Sequence, residues 1–104
     1  MAVYTKSSHS ETWKINMRVT ASKRFKKRYN ELPEHIREKL DRQEARFIEN
    51  PFHSSLHTEK LRPKSKDVWS FRVDLQYRVA FVFLEPDHVF LLTVRTHDHL
   101  YQDI

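Results

Sequence analysis

A chain of 104 residues with 19 Lys and Arg against 14 Asp and Glu carries a formal charge of +5. That length suits one domain with a single modest core, and the charge suits partners that bear phosphates or carboxylates. The chain has no cysteine and no glycine, which excludes disulfides, thiolate zinc sites and the glycine-rich loops that bring backbone amides against a phosphate.

Any bound phosphate must therefore be gripped by side chains. Residues 1–12, MAVYTKSSHSET, form a polar arm that lacks the apolar run of a secretory signal. The "VAFVFL" and "VFLL" runs are too short to span a bilayer. The expectation is a cytoplasmic protein, one domain over 1–104, with no membrane association.

In "WKINMRVT", Trp13, Ile15, Met17 and Val19 alternate with Lys14, Asn16, Arg18 and Thr20, the period of a half-buried strand. The period then changes. Phe25, Tyr29 and Leu32 recur at spacings of four and three within a run of cations, so Ser22 to Glu31 is expected as a basic helix capped by serine. A second helix is expected from Pro33 to Asn50, with Pro33 at its first position and Ile36, Leu40, Phe47 and Ile48 on its apolar face. The two helices form a hairpin.

Three strands follow, "VWSFRVD", "QYRVAFVFL" and "HVFLLTVRT", joined by connections too short for crossover helices. The second is apolar at nearly every position and is expected inside the sheet. The fold class is thus α+β: an N-terminal strand, a helical hairpin and a three-stranded antiparallel meander, forming one sheet with helices on one face. The turn around "DLQ" lacks the Asn-Gly or Asp-Gly of a two-residue turn. If three residues close it, Val73 faces Tyr77, Phe71 faces Val79 and Trp69 faces Phe81. The opposite face then carries Ser70, Arg72, Asp74 and Arg78.

Two groups of cations stand out. Lys23, Arg24, Lys26, Lys27 and Arg28 are five of six consecutive residues, and Lys60, Arg62, Lys64 and Lys66 alternate through "EKLRPKSK". With Arg95 they are candidates for contacts with an RNA backbone, though a cationic helix face is also ordinary solvated surface. Arg78, inside an apolar strand, needs an anionic partner, either a phosphate or a carboxylate of Asp74 or Glu59. His97 and His99 have no third ligand at a diagnostic spacing, so no metal site is expected.

The segments "WSFRVDLQYRVAF" and "RTHDHLY", with the order of elements around them, resemble the RelE/ParE toxin superfamily of bacterial toxin–antitoxin systems, and most closely its YoeB and RelE-type messenger RNA interferases. The resemblance runs from about Trp13 to Tyr101. It implies a metal-independent and cofactor-independent endoribonuclease that cuts messenger RNA, on the ribosome, and is neutralised by a cognate acidic antitoxin. It also implies Glu59, ten residues ahead of Trp69, as general base, His97 as general acid and Arg78 as phosphate clamp, with Arg72 and Tyr101 in support. A carboxylate, an arginine and a histidine suit attack by a ribose 2′-hydroxyl on the adjacent phosphate. The chain departs from the family at Asp67-Val68 and at Arg95, where many relatives carry glycine. The ParE branch, associated with inhibition of DNA gyrase and not with RNA cleavage, remains the alternative.

Overall fold

The computed structural model describes residues 17–104. Of the first expected strand, Trp13 to Asn16 lie outside the described residues. The remainder appears as β1 (Arg18–Ala21), with Val19 fully buried, Met17 just ahead of it buried, and Arg18 facing solvent. Helix α1 (Lys23–Glu31) begins where the sequence placed it. The Ser22 hydroxyl accepts the Phe25 N–H at 3.0 Å, capping the helix, and donates to the Leu92 carbonyl at 2.8 Å. One side chain thus starts α1 and ties it to the sheet.

Helix α2 (Glu34–Glu49) follows, with Pro33 as its N-cap and not, as expected, inside its first turn. The shift has a simple cause: Pro33 has ψ of 150°, outside the helical range, while its carbonyl accepts from Ile36 and Arg37. The helices are joined side to side by the Tyr29 hydroxyl, which donates to Asp41 at 2.9 Å.

The sheet is larger than the expected meander. Among the described residues it has five strands in the order β1-β5-β4-β3-β2, where β2 (Glu59–Lys60) pairs with β3 (Trp69–Arg72), and β4 (Tyr77–Glu85) and β5 (His88–Thr96) complete the antiparallel part. β1 runs parallel to β5, Val19 opposite Val89. The helical hairpin makes that parallel pairing possible, because it carries the chain back across one face of the sheet. β4 lies at the centre, as its continuous apolar run requires.

The hairpin register is the one a three-residue turn demands: Trp69 opposite Phe81, Phe71 opposite Val79 and Arg72 opposite Arg78. Asp74 shapes the turn, its Oδ1 accepting the N–H groups of Gln76 and Tyr77, each at 2.8 Å.

The helix-covered face holds the main core. Phe47 of α2 stacks on Phe71 at 4.8 Å and meets Phe81 edge-on at 4.9 Å, and all three are fully buried. Burial of each such ring contributes about 1.5–3 kcal/mol. The far face holds a smaller cluster of Leu61, Val68, Ala80 and Leu100. Leu100 comes from a short 3-10 turn, Leu100–Asp103, folded onto that face.

A bulge decides what the far face displays. Ala80 opposes Thr93 while the adjacent Phe81 opposes Leu91, leaving Leu92 as the extra residue on β5. The bulge reverses the alternation, so Leu91 and Val94 both join the main core and Thr93 and Arg95 turn to the far face. Gln43, buried on α2, locks the layers together by donating to the Ser55 and Arg72 carbonyls at 3.2 and 2.8 Å. Among the described residues, no helix is long and apolar enough to cross a membrane.

Candidate functional site

Arg78 is the centre of the far face. It lies on the central strand in one row with Arg72 of β3 and Arg95 of β5, the residues directly opposite it on either side. Its side chain is only 7% exposed, yet it is well supported. Nε donates to the Ser70 hydroxyl at 2.8 Å, Nη2 donates to the His57 carbonyl at 2.8 Å, and Nη2 lies 3.5 Å from Glu59 Oε2.

A guanidinium has five N–H donors. The Nη1 group has no hydrogen-bond partner among the described residues. The arginine is therefore held through Nε and Nη2, which leaves the donors of Nη1 unused among those residues. Burial lowers its pKa from the usual arginine value, and the charge on Arg72 acts the same way, while Glu59 and Tyr101 oppose the shift. Glu59 and Arg72 thus flank a single cation, one by its ion pair and the other by its place on the ladder.

Glu59 stands on the edge strand β2, its side chain 58% exposed. The strand is short because its two residues pair only with Ser70 and Trp69, but that pairing suffices to set Glu59 beside Arg78. Two left-handed residues bracket the segment, His57 with φ of 46° and Asp67 with φ of 57°. Histidine and aspartate are among the non-glycine types that tolerate this region best. Of the two partners weighed for Arg78, Glu59 is the one found; Asp74 instead pairs with Lys39 of α2.

His97 is placed differently. It is the first residue after β5, its N–H donating to the Gln76 carbonyl at 2.8 Å. It lines a shallow cavity with Leu75, Gln76, Asp98 and His99 that includes neither Glu59 nor Arg78. The ladder nevertheless puts it two residue pairs beyond Arg78–Arg95, at the same end of the sheet. Tyr101, 45% exposed, sits on the 3-10 turn folded onto the same face as the arginine row.

The candidate RNA-binding cations divide into two kinds. Lys23, Lys26 and Lys27 of α1 and Arg62, Lys64 and Lys66 of the loop after β2 have no ion-pair partner among the described residues. Lys60 is paired with Asp67 at 2.7 Å, Arg28 with Asp103 at 3.0 Å and Arg95 with Asp103 at 3.3 Å. Two residues central to the geometry escaped the sequence reading. Asp103 carried no signal, since its partners Arg28 and Thr93 lie 75 and 10 residues away. The His57 carbonyl is a backbone group, to which residue type gives no clue.

The sequence matches no family model and no curated protein. Its architecture does match solved structures. It is similar to the YoeB/ParE toxin from Agrobacterium tumefaciens, with a TM-score of 0.64, 16% identity, and 78% of this chain and 99% of that one covered. It is similar to the archaeal RelE-RelB complex from Pyrococcus horikoshii OT3, at 0.62, 19%, 77% and 93%. It is also similar to the E. coli DinJ-YafQ toxin-antitoxin complex, at 0.67, 15%, 82% and 97%. The chain has the fold of the RelE/ParE toxin superfamily.

Proposed function

We propose that this protein is the toxin of a type II toxin–antitoxin system, a metal-independent endoribonuclease that cleaves messenger RNA on the ribosome in the cytoplasm and is silenced by an acidic antitoxin. The observation that carries the reading is Arg78: a buried guanidinium, fixed by Ser70 and His57, with the exposed Glu59 carboxylate beside it and no partner for Nη1 among the described residues. A guanidinium so fixed suits a phosphate clamp, because preorganised donors stabilise charge as it grows on a phosphate.

In this reading Glu59 takes the proton from a ribose 2′-hydroxyl and the 2′-oxygen attacks the adjacent phosphorus. The bond from phosphorus to the 5′-oxygen breaks, and His97 supplies the proton that the leaving 5′-oxygen acquires. The substrate phosphate bridges the gap between the Arg78 row and His97. Arg78 neutralises the phosphorane through its free Nη1 end, and Arg72 and Tyr101 hold the flanking oxygens. Lys23, Lys26, Lys27, Arg62, Lys64 and Lys66 supply the long-range attraction to the RNA backbone.

The test is in vitro translation followed by analysis of the cut transcript's ends. Products with a 5′-hydroxyl and a 2′,3′-cyclic or 3′-phosphate are expected. Products with a 5′-phosphate would overturn the roles of Glu59 and His97. An intact transcript together with inhibited gyrase would favour the ParE-like alternative.

A further inference from the structure

The Asp103 carboxylate accepts four side-chain hydrogen bonds. Arg28 of α1 gives Nε at 3.0 Å and Nη2 at 3.3 Å, Thr93 of β5 gives its hydroxyl at 2.7 Å, and Arg95 of β5 gives Nη1 at 3.3 Å. Arg24 donates to the Asp103 carbonyl at 2.9 Å. The side chain is 6% exposed, so these charge-assisted bonds act with little screening from solvent. Asp103 closes the four-residue turn that begins at Leu100, and Leu100 is fully buried in the far-face cluster. Tyr101 lies between these two anchors, within electrostatic reach of Arg78.

The i→i+3 bonds of a four-residue 3-10 turn hold its local shape but do not fix where it sits on the sheet. With Leu100 as its sole anchor it could pivot, because an apolar contact is non-directional. The bonds to Asp103 come from a helix and a strand at fixed positions and remove that freedom. They also occupy two cations: Arg95, which has no other ion-pair partner among the described residues, and Arg28, whose other partner is the half-exposed Glu31.

We infer that Asp103 is a positioning residue: by latching the Leu100–Asp103 turn to α1 and β5 it sets Tyr101 beside Arg78, and it withholds Arg28 and Arg95 from RNA. The inference rests on the cleavage reading given above. It assigns two opposite effects to one carboxylate, faster chemistry and weaker RNA attraction. A residue that only supported the fold would move both in the same direction.

The test compares the wild type with Asp103→Asn, Asp103→Glu and Asp87→Asn, the last making the same charge change in the β4–β5 turn. Single-turnover cleavage of a defined RNA is followed across salt concentrations, together with amide hydrogen exchange. In Asp103→Asn the maximal rate is expected to fall about tenfold or more, the scale on which small misplacements act. The half-saturating RNA concentration is expected to stay level or drop, and the salt slope to steepen by about 1, from a freed Arg95 at roughly 0.7 and a smaller share from Arg28, which keeps its pair with Glu31. Exchange over residues 97–104 quickens while α2 and β4 keep wild-type protection. Asp103→Glu recovers part of the rate, and Asp87→Asn behaves as wild type.

A wild-type maximal rate in Asp103→Asn would overturn the inference. So would a joint loss of rate, RNA affinity and core protection. If the wild type cleaves no RNA, the cleavage reading fails on its own, and unchanged exchange over 97–104 or an unchanged salt slope would then overturn the latch separately.

Discussion

Glu59→Gln separates chemistry from stability, because the structure makes the pair with Arg78 cheap to lose and the carboxylate hard to replace. Glu59 is 58% exposed and its oxygen lies 3.5 Å from Nη2, a geometry whose contribution to folding is at most about 1 kcal/mol. Arg78 keeps its bonds to Ser70 and His57 after the substitution, so its burial remains compensated. For a domain near this size the melting temperature should drop by no more than about 4–8 °C. A missing general base typically lowers rate by on the order of 10²-fold or more, about 2.7 kcal/mol of barrier. Thermal unfolding by circular dichroism and single-turnover cleavage on one preparation give both numbers. A wild-type cleavage rate would refute the assignment, and so would a rate loss that tracks the fraction unfolded.

Arg78→Lys should abolish most cleavage, since an ammonium cannot reach Ser70, His57 and a phosphate together; single-turnover rates check this against Ser70→Ala, which removes one support and should be milder. Replacing Lys23, Lys26 and Lys27 with Gln should flatten the salt dependence of RNA binding by about 2, from three phosphates at roughly 0.7 each; filter binding across salt concentrations measures it, and an unchanged slope would make α1 plain surface. Burial raises the Asp103 carboxyl pKa, but hydrogen bonds from Arg28 and Thr93 and the charges of Arg28 and Arg95 outweigh it and bring the value down to about 2 from 3.8. The resulting stability, about 2 kcal/mol, is present above pH 4 and lost as pH falls through 2. Urea titrations over that window should show Asp103→Asn losing this acid dependence.

The helices and the β3–β4 hairpin were legible because each rests on local pattern. Ser22 caps α1 through its own neighbour Phe25, and Phe71, Val79 and Phe81 follow the register expected of a three-residue turn. Of the candidate site, which the resemblance singled out, the Glu59–Arg78 pair is found in the structure. What sequence pattern missed depends on distant groups. β2 has two residues, too few for any period. The bulge at Leu92 reverses the faces of β5 halfway along an unbroken apolar run, and only that reversal lets Arg95 join the Arg78 row. Gln43 is a polar residue buried against carbonyls 12 and 29 residues away, which helical periodicity does not reveal.

The left-handed residues His57 and Asp67 also bear on the unfolded chain. Glycine would take the same positive φ without steric penalty, yet this sequence has none. Each left-handed non-glycine residue costs roughly 1–2 kcal/mol in the native state. Against this, a side chain at those positions narrows the disordered ensemble, an advantage of about 0.4–1 kcal/mol per position over glycine. Across a chain where average usage would put about seven glycines, the unfolded state is unusually restricted everywhere. At His57 and Asp67 the native-state cost is the larger of the two, so the restricted denatured chain offsets only part of the strain in the segment that carries Glu59.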